Sequence, residues 1–282
     1  MLDKFFKERS AGKASMSSTN DQDEADARIE RTSGRTEANL GNWSKAPSTL
    51  SWPTGWIDVW KVRLDEPQSA GSEANVLSLD EEARGSRFHF EKDRDYFIRC
   101  RSALRCLLAN YLALTASEAR FDYATGGKPR LAADQNPRAL EFNVSHSGNI
   151  ALIAVGAERR VGVDVEKIRL DVDTDALAER FFSVHERAGL RSLPDHARVA
   201  GFFACWTRKE AFLKATGDGL SFPLADFSVS THPDLPPQVE EIREDIEAGK
   251  KWSLGDLSVG DDYRATVASD TSFSVLNTYA WN

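Results

Sequence analysis

Val161-Gly162-Val163-Asp164-Val165-Glu166, read with Trp206-Thr207-Arg208-Lys209-Glu210-Ala211-Phe212-Leu213-Lys214 further on, decides how this chain is understood. The first piece is short, apolar and β-branched, and two carboxylates interrupt it. Side chains two apart on a strand share a face, so Asp164 and Glu166 project side by side while Val163 and Val165 face a core. Neighbouring carboxylates repel, and a hard cation between them relieves the repulsion. An all-oxygen donor set suits Mg²⁺ better than Zn²⁺. The second piece predicts a helix with Phe203, Thr207, Glu210 and Lys214 on one stripe by i, i+3/i+4 spacing, which carries a third carboxylate and a cation toward the same metal. Carboxylates, Mg²⁺ and a lysine together suit a phosphorylated substrate: the metal bridges a diphosphate and the lysine meets its non-bridging oxygens. Taken singly, an Asp-x-Glu also reads as a solvated turn, and Glu210 with Lys214 as a plain ion pair.

Composition bounds the rest. With 282 residues, 41% hydrophobic and 28% charged, the chain has material for one or two cores. No apolar run approaches the ~20 residues of a membrane span, so no membrane partner is expected. Residues 1–9 lack the apolar core of a secretion signal, and the cytoplasm is the expected location. Cys100, Cys106 and Cys205 form no C-x-x-C and suit a reducing compartment. A net charge of −8 argues against nucleic acid as the main partner. Residues 1–50 are poor in aliphatic side chains and rich in Ser, Thr, Asn, Asp, Glu and Arg, the composition of a disordered extension.

From Trp52 onward the pattern is that of a folded α+β chain. Alternation over 56–62 predicts a half-buried strand, and 77–87 a helix. Over 93–114, Phe97, Cys100, Leu104, Leu107, Leu108 and Tyr111 recur on one helical face, while Arg94, Arg99, Arg101 and Arg105 form a basic face read as solvated. Phe121-Asp122-Tyr123 leads to a tight turn at Gly126-Gly127-Lys128-Pro129. Phe142-Asn143-Val144-Ser145-His146-Ser147 precedes an apolar strand over 150–155. Helices are predicted at 175–182, capped by Asp173 or Thr174, and at 197–215, ended by Gly217. Strands are predicted at 227–230, 251–254, 263–268 and 273–276, with a polar, acidic insertion at 233–249. A nucleophilic Ser145-His146 pair is disfavoured: sequence neighbours rarely attain triad geometry, and no G-x-S-x-G is present.

These motifs, in this order, resemble the signature of Sfp-type 4'-phosphopantetheinyl transferases: Gly127-Lys128-Pro129, Phe142 to Ser147, Val161 to Glu166, Phe181-Phe182-Ser183 with Glu186, and Trp206 to Lys214. The resemblance runs from about Trp52 to the C-terminus. It implies two similar α/β half-domains related by pseudo-two-fold symmetry, 51–158 binding coenzyme A and 159–282 binding the metal, with the active site at their interface. It further implies Mg²⁺-dependent transfer of 4'-phosphopantetheine from coenzyme A to a serine of an apo acyl or peptidyl carrier protein, releasing 3',5'-adenosine bisphosphate. On this resemblance Asp164, Glu166 and Glu210 hold Mg²⁺, Lys214 neutralises charge, and Glu210, or else Asp164, is the base. Lys128 reaches the nucleotide end of coenzyme A, and Ser145 and His146 its 3'-phosphate or diphosphate. Arg87 and Arg94, with Arg84 and Lys92, occupy the region that meets coenzyme A phosphates or an acidic carrier. Tyr96 stands where members often carry arginine. Glu186, at a position kept acidic, is read as supporting the site or the fold, and the chain as a monomer. Two rivals stand beside this reading: a Mg²⁺-dependent diphosphate hydrolase, and a non-catalytic module that binds coenzyme A or a carrier.

Overall fold

The computed structural model describes residues 41–47, 50, 55–66, 76–123, 129–217, 219, 222–273 and 275–281, all within one unit, Glu37–Asn282. In chain order the elements are β1 (Ser44–Lys45), β2 (Trp56–Arg63), α1 (Leu79–Gly85), α2 (Glu91–Leu112), β3 (Phe121–Tyr123), β4 (Pro129–Leu131), β5 (Leu140–Ser147) and β6 (Ile150–Ala157). There follow β7 (Val161–Lys167), α3 (Thr174–Phe181), α4 (Val184–Ser192), α5 (Asp195–Thr216), β8 (Phe227–Val229), β9 (Val239–Ile242), α6 (Ile246–Gly249), β10 (Ser253–Asp256), β11 (Tyr263–Ser269) and β12 (Val275–Trp281).

Two sheets carry the architecture, ordered β1-β12-β2-β6-β5 and β10-β11-β7. Alternation along β2 decides how they stack. Trp56, Trp60 and Val62 join Leu104, Leu107, Leu108 and Tyr111 of α2 in one core. Ile57 and Val59 join Val161, Val163 and Val165 of β7 and Ala265 and Val267 of β11 in another. β2 is therefore buried on both faces, where the sequence suggested one. Each fully buried Leu or Val adds about 1.5–3 kcal/mol relative to exposure, so both faces contribute. A buried polar link completes the first core: Tyr111 Oη donates to Asp58 Oδ2 at 2.6 Å and Asn277 Nδ2 to Oδ1 at 2.8 Å. Burial raises the Asp58 pKa, and these two donors oppose the rise.

The α+β halves repeat one topology. In the first, β2 leads to the long helix α2 and the hairpin β5-β6, and β2 pairs antiparallel with β6. In the second, β7 leads to the long helix α5 and the hairpin β10-β11, and β7 pairs antiparallel with β11. The chain's end crosses the division at 158/159, because β12 inserts between β1 and β2 in the first sheet, parallel to both.

Several elements differ from the sequence reading. Residues 1–40 of the expected extension lie outside the described residues, but its last part is structured: Ser44–Lys45 pairs with β12, and Trp43 Nε1 donates to Ser258 O at 2.6 Å. A single aromatic with a long-range partner anchored this stretch despite its polar composition. Helix α4 was not anticipated; its signal is the capping box in which Glu186 N donates to Ser183 Oγ at 3.1 Å and Ser183 N to Glu186 Oε2 at 2.8 Å. The insertion at 233–249 contributes β9, which pairs with β8. α5 ends as expected, at Gly217 with φ of 79°.

Candidate active site

β5 ends the five-stranded sheet and β7 the three-stranded one, and polar side chains sew these edges together. Asn143, Ser145 and Ser147 alternate with Phe142, Val144 and His146 along β5, so all three face β7. Val163 N donates to Asn143 Oδ1 at 3.0 Å, and Lys167 N to Ser147 Oγ at 3.1 Å. Ser145 Oγ donates to Asp164 Oδ1 at 2.8 Å, and Ser147 Oγ to Glu166 Oε2 at 2.9 Å. The motif thus satisfies a strand edge and fixes two carboxylates at once. Ser145, which the motif resemblance assigned to a coenzyme A phosphate, here bonds Asp164 and Lys214 instead; Asn143 and Ser147 were missed, although their period of two was visible.

Helix α5 approaches the same strand with almost no clearance. A Cβ placed on Gly162 would lie 2.1 Å from Ala211 O and 2.5 Å from Ala215 N, both helix backbone. Glycine is what lets α5 lie this low, and its height delivers Lys214 to Asp164. Gly162→Ala is expected to lower stability by roughly 1–3 kcal/mol, the usual cost of overpacking, and to lift α5 away from the carboxylates. A denaturant midpoint equal to wild type would refute this account.

The resulting cluster is lopsided in charge. Lys214 Nζ lies 2.6 Å from Asp164 Oδ1, 2.9 Å from Ser145 Oγ and 3.2 Å from Val163 O. The ion pair is therefore Lys214 with Asp164, not with Glu210 one turn back. Burial raises the Glu210 pKa, the Asp164 charge raises it further, and Lys214 opposes both. Burial alone would lower the Lys214 pKa, but Asp164 and Glu210 carry it above the usual lysine value. Asp164 Oδ2 and Glu210 Oε1 are buried with no hydrogen-bond partner among the described residues. Two orphaned carboxylate oxygens fit a hard divalent cation, which prefers oxygen donors. Among the described residues no group of three or more His, Cys, Asp or Glu stands close enough to hold a metal as it is.

The helix that carries Glu210 is pinned from the other side. Asp256, Thr266 and Asp164 face one another across β10, β11 and β7. Thr266 Oγ1 donates to Asp256 Oδ1 at 2.8 Å, Thr207 Oγ1 lies 3.2 Å from Thr266 Oγ1, and Arg208 Nη1 donates to Ser230 O at 2.7 Å while its fork grips Asp256. Lys209 points away from the carboxylates, to Glu186: Nζ lies 2.6 Å from Oε1, and both side chains are fully buried. Glu186 is thus a fold residue, holding α4 to α5.

The remaining expected residues divide. Lys128 lies outside the described residues. His146 is exposed on the face of β5 opposite Ser145, in a cleft of about 200 Å³ shared with Arg84, Phe97, Arg101 and Tyr123. Alternation makes it impossible for Ser145 and His146 to meet the same group from one strand face. Arg87 is exposed, and Arg94 pairs with Glu91 at 3.2 Å; neither lines that cleft. The basic face of α2 is not simply solvated. Arg101 and Arg105 both grip the buried Glu81, and Arg105 Nη1 donates to Ala119 O at 2.8 Å. Burial works to raise the Glu81 pKa, but the two guanidiniums and the Ser78 amide hold it below the usual glutamate value.

Comparison with known proteins bears on both halves. Residues 160–268 match the model of the 4'-phosphopantetheinyl transferase superfamily, and residues 65–158 that of the 4'-phosphopantetheinyl transferase N-terminal region. The 4'-phosphopantetheinyl transferase HetI of Nostoc sp. is 38% identical over 227 residues, 80% of this chain and 92% of the relative. The 4'-phosphopantetheinyl transferase Sfp of Bacillus subtilis is 29% identical over 190 residues, 65% of this chain and 81% of the relative. The human L-aminoadipate-semialdehyde dehydrogenase-phosphopantetheinyl transferase is 29% identical over 205 residues, 68% of this chain and 66% of the relative.

Proposed function

Because this chain belongs to the 4'-phosphopantetheinyl transferase family, we propose that it is an enzyme moving 4'-phosphopantetheine from coenzyme A to a serine hydroxyl of an apo acyl or peptidyl carrier protein. The observation that carries the reading is the seam cluster: Asp164 tied to Lys214 and Ser145, with Asp164 Oδ2 and Glu210 Oε1 buried and unpartnered. In the reaction the serine oxygen bonds to the phosphorus that bears pantetheine. The bond from that phosphorus to the bridging oxygen breaks, and 3',5'-adenosine bisphosphate leaves. Glu210 accepts the serine proton, since a carboxyl held above its ordinary pKa is a stronger base. Lys214, kept cationic by its two carboxylate neighbours, holds Asp164 in place and meets charge that develops on the leaving phosphate.

Asp164, Glu210 and the adjacent Glu166 are the residues that would hold Mg²⁺. When bound, the ion supplies Lewis-acid polarisation of the diphosphate. His146, Arg84 and Arg101 line one cleft across β5, and we assign them, with Lys128 by motif, to the nucleotide end of coenzyme A. One chain supplies both edges of the seam, so the active form is proposed to be a monomer acting in the cytoplasm. Among the described residues no helix is long and apolar enough to cross a membrane.

The test is the intact mass of apo carrier proteins incubated with the enzyme, coenzyme A and Mg²⁺, with EDTA in a parallel reaction. A gain of one phosphopantetheine, abolished by EDTA, is expected. Pantetheine phosphate released without carrier modification would favour a hydrolase instead. Coenzyme A retained without turnover would favour a binding module.

A further inference from the structure

The register of β7 with β11 sets Thr266 across from Asp164 and Arg264 across from Glu166. Residues directly opposite in an antiparallel pair share a face, so all four side chains lie on the side where α5 packs. Their neighbours Ala265 and Val267 point the other way, into the core between the sheets. Arg264 is thus placed beside the carboxylates by strand register, some hundred residues from them in sequence.

Its bonding is unusual for that position. Nη1 donates to Tyr263 O at 2.9 Å, while Nε is buried with no hydrogen-bond partner. Among the described residues Arg264 forms no ion pair, with Glu166 or with any other carboxylate. Glu166 instead accepts from Ser147. The Nε–Nη2 edge left over is the side of a guanidinium that grips a phosphate through two parallel hydrogen bonds. The other cation of the cluster, Lys214, is already committed to Asp164 and Ser145.

We infer that Arg264 is a further substrate-binding residue, taking a non-bridging oxygen pair of the coenzyme A diphosphate; this rests on the transfer reading above. Two carboxylates side by side would repel a diphosphate, and Lys214 alone answers for one end of the pair. Arg264 answers for the other end, next to Glu166. Its partial burial within the catalytic face favours a phosphate over an acidic side chain of the carrier, which would meet the rim.

Titration calorimetry of coenzyme A into the full chain with Mg²⁺ and no carrier tests this. Arg264→Gln is expected to weaken coenzyme A binding by roughly ten- to a hundredfold, as for loss of a hydrogen-bonded charge, with the carrier KM unchanged. Arg264→Lys keeps the charge and the stem but not the fork, and is expected to recover part of the affinity. Melting temperatures of both variants separate loss of fold from loss of contact. Wild-type affinity in folded Arg264→Gln overturns the assignment, and a raised carrier KM in that variant would move Arg264 to the protein partner. Wild-type protein that binds no coenzyme A overturns the transfer reading along with it.

Discussion

Asp164→Asn is expected to lower carrier modification by roughly a hundred- to a thousandfold, the usual cost of removing one preorganised charge from a reacting centre. The substitution is nearly isosteric, so Ser145 keeps an oxygen to donate to. What goes is the anion that Lys214 pairs with at 2.6 Å and the oxygen, Oδ2, that has no hydrogen-bond partner among the described residues. Two effects then act together. The proposed Mg²⁺ site loses a carboxylate, and Lys214 turns to Glu210, whose pKa no longer feels the Asp164 charge. Glu210 becomes a weaker base as its pKa falls. Because Lys214 finds Glu210 and its side chain is 26% exposed, no charge is stranded in the interior and the fold survives. Single-turnover transfer to a carrier, with a thermal melt alongside, checks both halves of the claim. A folded Asp164→Asn that transfers at the wild-type rate would show the carboxylate cluster to be a bystander.

The largest effect on stability is expected at Lys209, which stands one residue before Glu210 yet serves the fold. Lys209 Nζ donates to Glu186 Oε1, Glu186 Oε2 and Phe227 O, and Glu186 Oε1 also accepts from Val229 N at 2.9 Å. Neither side chain of the pair is exposed at all. Lys209→Met is expected to cost about 3–5 kcal/mol, since it strands a carboxylate in the interior. The double change Lys209→Met with Glu186→Gln is expected to cost less than the sum of the single ones, because the stranded charge is gone. Denaturant midpoints read both. A single-variant loss below about 1 kcal/mol would place the pair among ordinary surface bridges.

Much of this site was legible in the chain itself. The alternation of Val161 to Lys167 put Asp164 and Glu166 on one face and Val163 and Val165 in a core, as found. The helical stripe placed Glu210 and Lys214 toward those carboxylates, and the order of the motifs named the family. Local periodicity suffices for such statements because strand and helix geometry fix which side chains share a face.

Tertiary structure decided who pairs with whom. Lys214 passes over Glu210, its neighbour one turn away, for Asp164 on a different element. Arg101 and Arg105 leave the solvent for Glu81. β12, from the far end of the described chain, joins the first sheet beside β2, and strand register alone brings Arg264 beside Glu166. Sequence spacing sets the faces each element presents, but a buried charge takes the partner that packing brings within reach. At the seam that choice rests on Gly162, whose missing side chain sets how low α5 can lie.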